Sequence, residues 1–118
     1  MYLTEQIEDF PMTGFLPGKS FDTGKLCRFG YVTLKAEEDN LLCSKGHEIR
    51  GHEFHHWDSE DPGKGFLAVK ASGKSWSCVH TSKSLYAGYP HFHFCANLDF
   101  AEHFYQACVS YSQRNHGE

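Results

Sequence analysis

Two histidine-rich stretches carry the side chains best suited to chemistry. The first is Arg50-Gly51-His52-Glu53-Phe54-His55-His56-Trp57. Extended backbone sends successive side chains to opposite faces, so His52, Phe54 and His56 share one face and Glu53, His55 and Trp57 the other. A carboxylate two positions from an imidazole on the same face can orient that ring and hold it charged. The second is Tyr89-Pro90-His91-Phe92-His93-Phe94, in which His91 and His93 share one face while Phe92 and Phe94 turn toward a core. Paired imidazoles near the end of a strand suit general-base chemistry or metal binding. The spacing fits equally well a polar pocket in which the histidines serve only as hydrogen-bonding partners.

Other residue types narrow the choice. His-x-His with a glutamate and a further histidine is the ligand inventory of a cupin-like metal site, but the Gly-rich spacing of such sites is absent. Cysteines stand at positions 27, 43, 78, 95 and 108. None has a glycine on either side, so none sits on the sharp strand-to-helix elbow that exposes a nucleophile. Their number is odd and no pair has CxxC spacing, which argues against a disulfide framework and for a reducing, cytoplasmic setting. Two Gly-Lys-Ser triplets, Gly18-Lys19-Ser20 and Gly73-Lys74-Ser75, invite comparison with a phosphate loop. Thr13 and Ala68 occupy the places where that loop needs its first glycine, so both triplets read as turns.

These residues need a strand-rich frame to hold them. Residues 1–9 read as a short helical piece, and Pro11, Gly14, Pro17 and Gly18 make 11–25 a loop. Residues 29–35 alternate as a strand, 41–43 form a second short strand, and 47–57 a longer one interrupted at Gly51. A hairpin follows over 66–80, then an aromatic strand over 85–94, with Pro90 placing it at an edge or a bulge. Asn97 or Asp99 caps a closing amphipathic helix whose apolar positions Phe100, Phe104, Ala107 and Cys108 run on to Tyr111, about three turns, with a polar frayed end from Gln113. The whole of 1–118 reads as one domain.

Composition sets the outer bounds. The 118 residues carry 11 Lys and Arg against 15 Asp and Glu, a net charge of −4, and no basic stripe, which argues against a nucleic-acid partner. No apolar run is long enough to cross a membrane, and the N-terminal residues do not look like a signal peptide. The length excludes a complete ATP-dependent ligase together with its ammonia source.

Taken in order, the blocks Met1-Tyr2-Leu3-Thr4-Glu5, Pro11-Met12-Thr13-Gly14-Phe15-Leu16-Pro17-Gly18, Arg28-Phe29-Gly30-Tyr31-Val32, Arg50 to His55 and Tyr89 to Phe94 resemble the C-terminal part of cobyrinic acid a,c-diamide synthase. The resemblance covers essentially the whole chain. It implies an α/β fold: a partial class I glutamine amidotransferase-like, flavodoxin-like domain, strand-rich with β-hairpins and a C-terminal helix. Enzymes of this family use ATP, Mg²⁺ and glutamine to amidate the a and c carboxylates of a corrinoid in cobalamin biosynthesis, and release ammonia by a Cys–His mechanism. By position in the motif, His91 matches the catalytic histidine, and Glu53 and His55 match supporting residues. His93 is the motif's second histidine, and Pro90 replaces the usual aliphatic residue before His91.

The departure from the family is large. Its cysteine elbow lies just before a Met-Tyr-Leu-Thr-like segment, so this chain is expected to lack the nucleophile, the ATP half and any cofactor of its own, and to be inactive alone. Glutamine and corrinoid would be bound only by the complete enzyme. A fragment of this kind should expose an edge or apolar patch that self-association or a complementary chain covers. The competing readings are a non-enzymatic interaction subunit of a split enzyme and a cupin-like metal-binding β domain.

Overall fold

The computed structural model describes residues 1–116. Along the chain these form β1 (Gln6–Ile7), β2 (Phe10–Pro11), β3 (Lys19–Asp22), β4 (Arg28–Ala36), β5 (Glu48–His55), β6 (Trp57–Ser59), β7 (Phe66–Val69), β8 (Ser75–Cys78), β9 (His80–Ser82), β10 (Leu85–Ala87), a 3-10 turn (Phe94–Ala96) and α1 (Leu98–His116). One four-stranded sheet has the order β5-β4-β7-β8 and a second has the order β2-β1-β3-β6, while β9 and β10 make a two-stranded ribbon. All pairings in the first sheet are antiparallel, and β1 with β3 is the one parallel pair among the described strands. The strand-rich frame with a C-terminal helix is as expected. Among the described residues no helix is long and apolar enough to cross a membrane.

The core forms on one face of the β5-β4-β7-β8 sheet because alternation in β4 and β5 is nearly strict. Val32, Leu34 and Ala36 are buried on β4, Ile49, Gly51 and Glu53 on β5, and Phe66 and Ala68 on β7. Register places Leu34 between Ile49 and Ala68, so apolar side chains meet across the strands. Phe100 from α1 closes this face, tilted against Phe66 with ring centroids 6.4 Å apart. Phe66 and Phe100 are fully buried, each a gain of about 1.5–3 kcal/mol over an exposed ring.

Several sequence expectations are corrected. Residues 1–9 are not helical. The hydroxyl of Thr4, a buried residue, bonds the Met1 and Gln6 carbonyls, and Glu8 takes a left-handed φ of 51° in the tight β1–β2 turn. Residues 41–43 form a turn rather than a strand, because the Asn40 side-chain oxygen accepts the Leu42 amide at 2.9 Å. Part of the stretch expected as loop is β2 and β3. The expected strand over 85–94 stops at Ala87, and Pro90 and the 3-10 turn follow. The expected 66–80 hairpin ends at Cys78, because Val79 has a φ of 69° and starts a new direction. Helix α1 continues to His116 rather than fraying from Gln113, and only its first turn, through Phe100, reaches the core. The remainder of the expected frayed end, positions 117 and 118, lies outside the described residues.

Candidate functional site

Strand β5 places the candidate residues by its alternation. Glu53 lies on the core face, 3% exposed, opposite Gly30 of β4. Gly30 has a φ of 114°, a conformation that favours glycine. His55, two residues on, shares that face, with its Nε2 3.3 Å from Glu53 Oε1 and its Nδ1 2.5 Å from the Trp57 carbonyl oxygen. A carbonyl only accepts, so Nδ1 carries a hydrogen, and the Glu53 contact needs a second proton between Nε2 and Oε1. Burial disfavours the charged imidazole, but the Glu53 hydrogen bond, the Trp57 carbonyl and the Glu53 and Asp58 charges outweigh it and raise the His55 pKa. The other carboxylate oxygen of Glu53 is buried without a hydrogen-bond partner among the described residues.

The His55 ring lies against Tyr89, centroids 4.2 Å apart and planes within 14°. The Tyr89 hydroxyl is 3.0 Å from Ser59 Oγ on β6, Ser59 Oγ is 3.1 Å from Ser20 Oγ on β3, and Ser20 Oγ is 3.3 Å from Thr4 Oγ1. Two residues beyond Tyr89, the backbone of His91 bridges to that of His52. Each amide donates to the other's carbonyl at 2.8 Å. The two imidazoles stack with centroids 5.4 Å apart and planes within 13°. Because β5 is an edge strand, this segment passes around the sheet edge, with Tyr89 against the core-side His55 and His91 on the open side with His52. Gly51 permits the passage: a Cβ there would collide with the His91 carbonyl oxygen. The interruption expected at Gly51 is absent, since β5 runs through it unbroken.

The candidate residues therefore fall into two groups. Glu53 and His55 are together on the core side of β5, whereas His91 is on the other side with His52. His93 joins neither: its Nδ1 accepts the Cys95 amide at 3.1 Å and caps the 3-10 turn. The cupin-like alternative needed these side chains to converge, and among the described residues no three metal-ligating groups do so. His52 and Tyr89 lay inside the sequence motifs without an assigned role. Gly51, in a strand otherwise made of larger residues, was the one sequence signal of a close backbone approach.

The thiols and the Gly-Lys-Ser triplets are placed structurally. Burial pushes Cys78 up to about 12, with the Glu53 charge adding to it. Burial and the Asp58 contact raise Cys27, and burial raises Cys43. Lys19 and Ser20 form part of β3, and Gly73 and Lys74 form the turn between β7 and β8. Neither triplet opens a helix, so neither offers the amide cradle that a nucleotide phosphate needs.

The open side of β4 and β5 carries exposed aromatic rings. Phe29, Tyr31 and Phe54 are 60%, 86% and 58% exposed; Phe29 meets Phe54 edge-on, and Tyr31 meets His52 edge-on. These values exceed what a buried sheet face shows, so the three rings form an exposed apolar patch on the open side of β4 and β5.

Comparison with known proteins bears on what this arrangement serves. No protein-family model matches the chain, and no solved structure matches it. It is similar to cobyrinate a,c-diamide synthase of Clostridium acetobutylicum, 36% identical over 108 residues, covering 87% of this chain and 25% of that protein. The synthase of Fusobacterium nucleatum is 40% identical over 113 residues, covering 86% of this chain and 24% of the other. That of Thermoplasma volcanium is 31% identical over 121 residues, covering 97% and 26%. The chain thus spans about a quarter of the length of the curated relatives it matches.

Proposed function

We propose, from this family-level link to the cobyrinate a,c-diamide synthases, that the chain is the histidine-bearing part of the glutamine-hydrolysing half of such an enzyme. On this reading it has the class I glutamine amidotransferase-like, flavodoxin-like character that the sequence resemblance implies. The observation that carries the proposal is the setting of His91. Its ring is exposed, stacked on His52 and free of hydrogen bonds among the described residues, while its backbone is fixed by two reciprocal bonds to β5.

Such a ring can accept a proton without breaking a structural contact. The reaction needs a cysteine thiol from elsewhere. His91 takes the thiol proton, the sulfur attacks the glutamine amide carbon, and His91 returns that proton to the departing ammonia, leaving a thioester for water to hydrolyse. Glu53 and His55 support the segment from the opposite side of β5. ATP and Mg²⁺ do not fit the residues of this chain, because neither Gly-Lys-Ser triplet opens a helix or forms a phosphate loop. The corrinoid a and c carboxylates that receive the ammonia would be bound by other parts of the complete enzyme.

The exposed ring cluster of Phe29, Tyr31 and Phe54 favours a second reading, an interaction subunit without activity of its own that associates with a complementary chain or with itself. A glutamine-hydrolysis assay and a pull-down from the source cell separate the readings. The first predicts no turnover by this chain alone, whereas capture of a stable partner carrying a Gly-flanked cysteine favours the second, the interaction subunit of a split enzyme. Turnover by the chain alone that His91→Ala abolishes would overturn the predicted inactivity.

A further inference from the structure

We propose that the hydroxyl chain Thr4–Ser20–Ser59–Tyr89 is a positioning device that fixes the segment carrying His91 relative to the N-terminal turn. The inference rests on the reading of His91 as the proton-transferring base, and assigns that base its positioning residues.

The chain has a single direction. A hydroxyl has one hydrogen to give. Thr4 Oγ1 is 2.6 Å from the Met1 carbonyl and 3.0 Å from that of Gln6, and carbonyls only accept, so the Thr4 hydrogen is committed there. Ser20 must then donate to Thr4, Ser59 to Ser20, and the Tyr89 phenol to Ser59. Ser20 is fully buried and Thr4 is 3% exposed, so solvent does not compete for the inner links. The four residues come from the N-terminal turn, β3, β6 and the segment after β10, which are far apart in sequence.

Tyr89 is thereby held at both ends. Its hydroxyl is fixed by Ser59 and its ring by His55, and the next residue, Pro90, is buried. A proline has a nearly fixed φ, so orientation set at Tyr89 passes to His91 with little freedom between them. The reciprocal bonds between His91 and His52 then depend on where the hydroxyl chain has put Tyr89.

Hydrogen exchange of the full chain, read by NMR, tests this without any turnover assay. The reporters are the His52 and His91 amides, measured relative to amides of the β4–β7 ladder. Tyr89→Phe and Thr4→Val keep the shape of each side chain and remove its hydroxyl. Each is expected to lower the protection of the two reporters about five- to tenfold relative to the ladder. The double variant is expected to lose no more than either single variant, because one break already interrupts the chain. Thr4→Ser restores the hydroxyl and should restore protection. If Thr4→Val does not fold, Ser59→Ala interrupts the same chain at a half-buried link. Unchanged reporters, a loss shared equally by the β4–β7 ladder, or multiplying losses in the double variant would overturn the proposal. Failure of His91 in catalysis would leave these exchange rates as they are, so the two claims fail separately.

Discussion

The imidazole of His55 lies flat against the phenol ring of Tyr89, 4.2 Å between centroids, while Glu53 bonds the imidazole edge. A cationic ring over an aromatic face is favourable, and the buried carboxylate compensates the charge. This contact ties β5 to the segment that carries His91, so the protonation of His55 bears on that segment's hold.

The pH dependence has a definite sign. The pKa of His55 is raised in the folded chain, so the stabilisation it contributes is fully present below the unfolded value of about 6.5 and is lost as pH rises through the folded value. Urea unfolding followed from pH 6 to pH 9 should show a midpoint that falls across this range. Glu53→Gln, which removes the charge that holds the proton, should flatten the decline.

Gly51→Ala places a methyl group where the His91 carbonyl oxygen sits. The bridge to His52 must open or β5 must shift, at a cost of about 1–3 kcal/mol. Denaturant midpoints together with exchange of the His52 amide should register both effects. Retention of wild-type stability and protection would mean that the edge passage has room for a Cβ at position 51.

Helix α1 should respond unevenly along its length. Phe100 is fully buried, so Phe100→Ala should cost about 3–5 kcal/mol. Phe104, which is 43% exposed and stacks on Phe94, should cost under about 1 kcal/mol when changed to Ala. Thermal unfolding of the two variants checks the contrast. Equal losses would show that the helix packs along more than its first turn.

The alternation that built the site was legible because it is local. In β5, the residues Ile49, Gly51, Glu53 and His55 share a face by period two alone, and the structure keeps that face as the core side. What the sequence could not convey is where the 89–94 segment runs. Its aromatic residues read as one continuous strand, yet Pro90 lacks an amide to donate, and the partner it passes, His52, lies some forty positions earlier. The division of Glu53 and His55 from His91 follows from that passage around the edge, which no local spacing encodes. The N-terminal turn escaped for a similar reason: Thr4 reaches Ser20 across the sheet, and its short polar side chain prefers backbone carbonyls to a helix. The hydroxyl chain joins four residues that have no common motif.

Thiol labelling offers a further check on the packing. Cys95 and Cys108 are exposed, whereas Cys43 and Cys78 are buried and Cys78 has a pKa of about 12. A thiol reagent at pH 8 should modify Cys95 and Cys108 rapidly in the folded chain and reach Cys43 and Cys78 only after denaturant is added. Rapid modification of Cys78 in the native state would contradict the burial of β8 against the core.

The most direct test of the account concerns His91. Glutamine hydrolysis should be measured with this chain mixed with the remaining, cysteine-bearing part of a related cobyrinate a,c-diamide synthase, comparing the wild type with His91→Ala. With His91 as the proton carrier, ammonia release should appear only in the mixture and fall at least about a hundredfold in the variant. Equal ammonia release by wild type and His91→Ala would contradict it.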